Sequence, residues 1–412
     1  MFPTTLLTTL LLALSVAANP VLVERSPVSL SLSRRLNLTS VHNLLRHDQT
    51  RAKTLKTRGA AKAAGLPIQN AAVINEAVDN QAVTYIANVA VGSPATTFEL
   101  LIDTGSSNTW VGATKAFKKT GTSTQTNNKV SVTYGSGSFS GTEFTDQVSL
   151  GSGLTISKQS IGVASTSQGF QGVDGILGIG PVDLTLGTLS PGTNTLIPTV
   201  TDNLFSSGAI SAHSLGISFE PSITGDDLNG ELTWGGTDST KFTGTVAFTA
   251  VTKTSPASEF WGINQSFRYG ASNTILASTA GIVDTGTTLV LIATNGFNKY
   301  KTATGGVIDN TTGLLRVTST QFNNLQSLFF INSAGTFELT ANAQIWPRSL
   351  NADIGGAAGS IFLIVADLGS PSGEGLDFIN GFAFLERFYS VFDTANNRVG
   401  FATTSFTKAT TN

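Results

Sequence analysis

The phrase Asp-Thr-Gly occurs twice behind an apolar run, as LIDTGSSNTWVG at 101–112 and as IVDTGTTLVLIA at 282–293. Asp103 and Asp284 stand 181 residues apart, and each copy is followed much later by apolar residues around a glycine: VDGILGIG at 173–180 and FINGFAFL at 378–385. The separations, 72 residues from Asp103 to Gly175 and 97 from Asp284 to Gly381, differ by an insertion. A plan stated twice predicts two related lobes. We place their boundary near 240–260, with one lobe over 73–250 and the other over 251–412.

The words around the repeat read as strands and turns. AVTYIANVAVGSP and TTFELLID are successive strands with Gly92-Ser93-Pro94 as the turn. FELLI is apolar at consecutive positions, so both faces of that strand are expected to be buried, carrying Asp103 to the end of an interior strand. A carboxylate there is costly unless something holds it. NKVSVTYGSGSFSGTEFTDQVSL alternates about a Gly-Ser-Gly tip and predicts a hairpin. In DDLNGELTW the acidic pair could suggest calcium, but the spacing of a calcium loop is missing and Asn229-Gly230 is read as a hairpin turn. RFYSVFDTANNRVGFAT is read the same way, with Asn396-Asn397 at its turn. With 25 Phe, 43 Gly and only 12% charged residues, the expectation is an all-β chain.

The first residues, MFPTTLLTTLLLALSVAANP, resemble a secretory signal peptide over 1–18. Between residues 20 and 70 lie nine Lys or Arg against Glu24 and Asp48, whereas the remainder holds fifteen bases and twenty-four acids. A basic leader on an acidic body signals an interaction tail. The plain alternative is a solvated basic helix. Behind an export signal a nucleic-acid arm does not fit, and we read 19–72 as a prosegment lying on the body until its carboxylates protonate. The mature chain is then expected to begin near 68–76.

There is no cysteine, and of three His only His213 lies outside the leader, which holds His42 and His47. That removes disulfides, thiolate nucleophiles and Cys/His metal clusters, so no metal or cofactor is expected. His213 alone would have to carry any Ser-His-Asp chemistry, and it is read as structural. What remains for hydrolysing an amide is a pair of carboxylates. Two of them about 3 Å apart cannot both ionise and share a proton. One then takes a proton from water while the other donates to the carbonyl oxygen. Gly105 and Gly286 permit close backbone approach, Thr104 and Thr285 can bond the opposing loop, and Ser106 and Thr287 can bond the outer carboxylate oxygens. Two Asx-type surface turns are the alternative.

With DTGSSNTW at 103–110, YGSGS at 134–138, VDGILG at 173–178, VDTGTT at 283–288 and YSVFDTANNRVGFA at 389–402, the sequence resembles the pepsin-like aspartic proteases, and its Cys-free fungal members in particular. The resemblance spans nearly all of 80–405. It implies a bilobal all-β fold with a cleft between the lobes, Asp103 and Asp284 as the dyad, and a flap carrying Tyr134, Gly135 and Ser136, with Trp110 behind it. It further implies that Leu101, Tyr134, Phe170 and Ile176 line the pocket for the residue before the scissile bond, favouring large apolar side chains; each could equally be core. It implies an acidic optimum, sensitivity to pepstatin, and a prosegment lysine paired with the dyad, for which Lys53, Lys56 and Lys62 are the candidates. Asn380 stands where relatives more often carry leucine.

The function expected is a secreted, self-activating acid endopeptidase made as a zymogen. The alternative is an inactive binding or inhibitor protein on the same fold, which would show a damaged dyad or flap. Expected partners are polypeptide substrates and the chain's own prosegment, with no nucleic acid and no membrane, and the chain is expected to act as a monomer. Asn264 and Asn310 head glycosylation sequons in the body, and Asn37 heads one in the leader.

Overall fold

The computed structural model describes residues 26–36, 44–66, 83–135, 137–151 and 153–412. The expected signal peptide, the sequon at Asn37, His42, the expected mature start and Ser136 lie outside the described residues.

The fold is mostly β, as expected. Among the described residues the chain forms one fourteen-stranded sheet, one of seven strands and one of three. The chain leaves the large sheet after Thr243–Ala250 and enters the second with Gly262–Tyr269. It returns at its end, where Phe388–Asp393 pairs with Ser214–Ser218 and Arg398–Thr403 pairs with Thr243–Ala250.

The duplicated plan appears as two copies of one strand arrangement. In the first, Thr96–Asp103 runs parallel to Gly175–Gly178, with Asp103 level with Gly178, and Trp110–Val111 lies antiparallel on the other side of Gly175–Gly178. In the second, Asn273–Val283 runs parallel to Phe378–Asn380, with Val283 level with Asn380, and Val290–Ile292 lies antiparallel beyond it. The chain after each Asp-Thr-Gly therefore crosses the later strand. A Cβ on Gly178 would stand 2.5 Å from the carbonyl carbon of Ser107, and one on Gly381 2.3 Å from the Leu289 carbonyl oxygen. The glycine that corresponds to Gly381 is therefore Gly178, which corrects the matching of Gly381 with Gly175, and the crossing is why a glycine stands at each.

The expected hairpin is Thr124–Tyr134 against Gly137–Ser149, and the turn at Asn396-Asn397 joins the last two strands. The reading of Asn229-Gly230 as a hairpin turn is corrected. Asp227–Trp234 is one continuous strand, and Asn229 is the extra residue of a bulge opposite Leu32 and Ser33. The partner across the bulge is the N-terminal strand Val28–Leu36, which lies between Asp227–Trp234 and Val83–Val91.

This leader strand is anchored through Arg34, which is buried. Its Nε lies 3.2 Å from Glu386 Oε1, and its Nη1 donates to the Thr224 carbonyl at 2.8 Å. Tyr85 Oη donates to the same Glu386 oxygen at 3.1 Å. Burial raises the Glu386 pKa in spite of Arg34. His213 lies 2.8 Å from Asp202 Oδ1 through Nε2 and stacks on Phe205 at 4.7 Å, which fits its structural reading.

Candidate active site

Each Asp sits at the end of its interior strand with no exposed surface. Around both, the local contacts repeat. Gly105 N–H donates to Asp103 Oδ1 at 2.9 Å, and Gly286 N–H to Asp284 Oδ1 at 3.2 Å. Ser106 Oγ donates to Asp103 Oδ2 and Thr287 Oγ1 to Asp284 Oδ2, both at 2.5 Å. Charge-assisted bonds of this kind are what make a buried carboxylate tolerable.

The two loops are locked to each other by their threonines. Thr104 N–H donates to Thr285 Oγ1 and Thr285 N–H to Thr104 Oγ1, each at 3.0 Å. The hydroxyls donate onward, Thr104 to the Val283 carbonyl at 3.2 Å and Thr285 to the Ile102 carbonyl at 3.0 Å. With the backbones this close, each glycine covers the other loop's carboxylate. A Cβ on Gly105 would stand 2.6 Å from Asp284 Oδ1, and one on Gly286 2.8 Å from Asp103 Oδ1.

The group facing both carboxylates is an arginine of the leader. Arg51 Nη2 donates to Asp103 Oδ1 at 2.6 Å and Asp284 Oδ1 at 2.8 Å, and Nε donates to Asp284 Oδ2 at 2.7 Å. This corrects the expectation of a lysine. Lys53 is exposed, Lys56 Nζ lies 2.9 Å from Glu374, and Lys62 Nζ lies 3.0 Å from Glu259. A guanidinium can bond three oxygens in one plane where an ammonium is a single point of charge. Burial works against the Arg51 charge, but Asp103 and Asp284 outweigh it and its pKa is raised. Burial pushes the Asp284 carboxyl up, and Arg51, Thr287 and Gly286 together bring it below the usual carboxylate range.

Arg51 is delivered by the helix Leu44–Ala63, whose buried residues include Leu44, Ala52 and Leu55. One turn earlier, Asp48 accepts from the N–H groups of Leu289 at 2.8 Å and Thr288 at 3.1 Å, beside His47 Nδ1 at 3.2 Å. Gln49 Nε2 donates to the Asp367 carbonyl at 2.8 Å. The helix is thus docked rather than solvated. Sequence reasoning missed Arg51 and Asp48. The signal was Asp48 and Arg51 at i and i+3, which share one helix face.

The hairpin closes over the helix. A Cβ on Gly135 would stand 2.1 Å from the Arg51 Cα, and Arg58 Nη1 donates to the Thr133 carbonyl at 3.4 Å. Arg58 Nε and Nη2 are buried without a hydrogen-bond partner. Leu101, Trp110, Tyr134, Phe170 and Ile176 come together in one apolar cluster. Trp110 stacks at 6.5 Å from Tyr134, and Phe170 meets both edge-on, at 4.8 Å from Trp110 and 5.4 Å from Tyr134. Burial raises the Tyr134 pKa, so its hydroxyl stays protonated. Of the sequon residues, Asn264 is exposed in its strand with Oδ1 accepting from Thr252 Oγ1 at 2.9 Å, and Asn310 is exposed in a turn.

Two carboxylates are turned to one point, in matched loops under a hairpin, and groups so placed can share a proton. The family model described as eukaryotic aspartyl protease matches residues 84–404. The chain is 69% identical to polyporopepsin from Irpex lacteus over 333 residues, covering 81% of this chain and 98% of that one. It is 32% identical to rhizopuspepsin-1 from Rhizopus niveus over 302 residues, covering 69% and 74%. The crystal structure of the aspartic proteinase from Irpex lacteus superimposes with a TM-score of 0.80 at 59% identity, covering 94% of this chain and all of that one.

Proposed function

The chain belongs to the eukaryotic aspartyl protease family and is an aspartic endopeptidase acting on polypeptides; from that premise we propose that Asp103 and Asp284 are its dyad and that residues before the mature chain hold it as an inactive zymogen. The observation that carries this reading is Arg51, whose one guanidinium bonds both carboxylates and fills the point they face.

Once the helix leaves, a water takes the place of the guanidinium between Asp103 and Asp284. The ionised member of the pair draws a proton from that water as its oxygen attacks the peptide carbonyl. The protonated member donates to the carbonyl oxygen, giving a gem-diol. The proton first taken then passes to the amine as the C–N bond breaks, and a gem-diol hydroxyl returns its proton to the other carboxylate, restoring the dyad. The two roles belong to the pair as a unit. Ser106 and Thr287 hold the outer oxygens so that the inner ones face substrate, and Tyr134 and Gly135 close over the bound chain. The cluster of Leu101, Phe170 and Ile176 beside Tyr134 supports a preference for large apolar side chains at the scissile bond.

The N-terminal apolar stretch and the sequons at Asn264 and Asn310 support export and glycosylation. Sharing of one proton supports an acidic optimum and inhibition by pepstatin. Among the described residues no helix is long and apolar enough to cross a membrane. Asp103→Asn and Asp284→Asn each keep the shape of the site and remove one titrating oxygen. Both variants are expected to fold and to lose cleavage; acid proteolysis surviving in either would overturn the assignment.

A further inference from the structure

The helix Leu44–Ala63 is a ligand of its own cleft, and its basic side chains mark where that cleft receives positive charge. Besides the seat of Arg51, one such place lies at the far end of the helix. Lys62 Nζ stands 3.0 Å from Glu259 Oε2 and 3.5 Å from Asp183 Oδ2, with only 12% of its side chain exposed. The two acids come from the two halves of the duplicated plan: Asp183 lies in the short helix Val182–Thr185 just after VDGILGIG, and Glu259 in Ala257–Glu259 at the entry to the second sheet. Ser258 Oγ donates to Glu259 Oε1 at 3.1 Å and fixes that carboxylate. Among the described residues Lys62 is the cationic partner of both. A cavity of about 160 Å³ lies beside Lys62, between Gly65 and Leu66 at the end of the helix and the 186–194 loop.

Resting on the zymogen reading, we propose that after the helix departs Asp183 and Glu259 form a subsite that accepts a lysine or arginine of the polypeptide substrate. Lys62 lies about three helical turns from Arg51, or roughly 16 Å along the axis at 1.5 Å per residue. An extended substrate rises about 3.3 Å per residue, so the favoured cation sits about five residues from the scissile bond. The seat selects for charge and reach, independently of the apolar preference at the bond itself.

The test is a peptide series with one cleavable apolar pair and an otherwise neutral sequence, in which a single lysine is moved from three to seven residues away on either side. The acid-treated full chain is assayed at pH 5. A half-exposed ion pair is expected to raise kcat/KM by about threefold over the alanine peptide, at one register near five residues and on one side only. In Asp183→Asn/Glu259→Gln the ratio of lysine to alanine peptide should return to one. In Asp183→Lys/Glu259→Lys, glutamate should become the favoured residue at the same register, a reversal that general damage to folding cannot produce. A flat series, or a lysine preference unchanged in the variants, overturns the subsite while leaving the protease reading intact. Failure of the acid-treated chain to cut the alanine peptide at all overturns the proposed function and the subsite together.

Discussion

Arg51 meets Asp284 side-on, with Nε 2.7 Å from Oδ2 and Nη2 2.8 Å from Oδ1. The same Nη2 reaches Asp103, so one planar cation bridges two buried acids and offsets their mutual repulsion. The helix Leu44–Ala63 is therefore fastened to both carboxylates.

Removing that cation leaves the carboxylates buried and unpaired beneath the helix. Arg51→Ala is expected to weaken docking of the helix by about 3 kcal/mol, the usual cost of breaking a buried pair from one side. A lower thermal midpoint at pH 7 and peptide cleavage at pH 5 without prior acid treatment would check this. An unchanged midpoint with no leak of activity would contradict it.

Acid should release the helix. The Asp284 carboxyl is held below its ordinary value in the docked state, since Arg51 and its hydrogen bonds outweigh burial. A depressed pKa stabilises docking fully above the free value of about 3.9, and that stabilisation is lost as pH falls through the depressed value. Amide protection factors of residues 44–63, corrected for the intrinsic rate at each pH, should therefore be high at pH 7 and fall below about pH 4. Protection that persists through pH 2 would oppose the account.

Asn380 answers a local need of this chain. Its amide and that of Gln265 bond reciprocally, at 3.2 and 3.3 Å, and neither side chain is exposed. Asn380→Leu takes away the acceptor of the buried Gln265 Nε2, at a cost of about 1–3 kcal/mol. The double change Gln265→Leu/Asn380→Leu should recover most of the loss. Denaturant midpoints of the three proteins decide it, and a neutral single change would show that the pair contributes nothing.

Gly381→Ala should be far more damaging than an ordinary glycine substitution, because the added Cβ falls 2.3 Å from the Leu289 carbonyl, in the chain leading away from Asp284. Loss of soluble folded protein, or of activity in what remains, is expected. A variant with native stability and rate would mean that the crossing relaxes without consequence.

Much of this was legible in the sequence where the physics is local or repeated. Two apolar runs ending in Asp-Thr-Gly, each with a later glycine-centred strand, already marked the duplicated arrangement that carries Asp103 and Asp284, and their threonines marked the bonds that lock the two loops. The leader was legible only as charge. That Val28–Leu36 enters the large sheet, and that Arg34 finds Glu386 across 352 residues, depends on long-range pairing that no periodicity records. Asn229-Gly230, an apparent hairpin turn, lies at a bulge opposite that strand. Arg51 was overlooked in favour of lysines, although Asp48 one turn away marked the docking face.

The account rests on two carboxylates sharing a proton once the helix is gone, and the most direct measurement is cleavage of a denatured protein by the acid-treated chain from pH 2 to 8, with and without pepstatin. Cleavage confined to acid and abolished by pepstatin is the predicted result. Cleavage that persists at neutral pH or in the presence of pepstatin, or a folded chain freed of its leader that cuts at no pH, would contradict it.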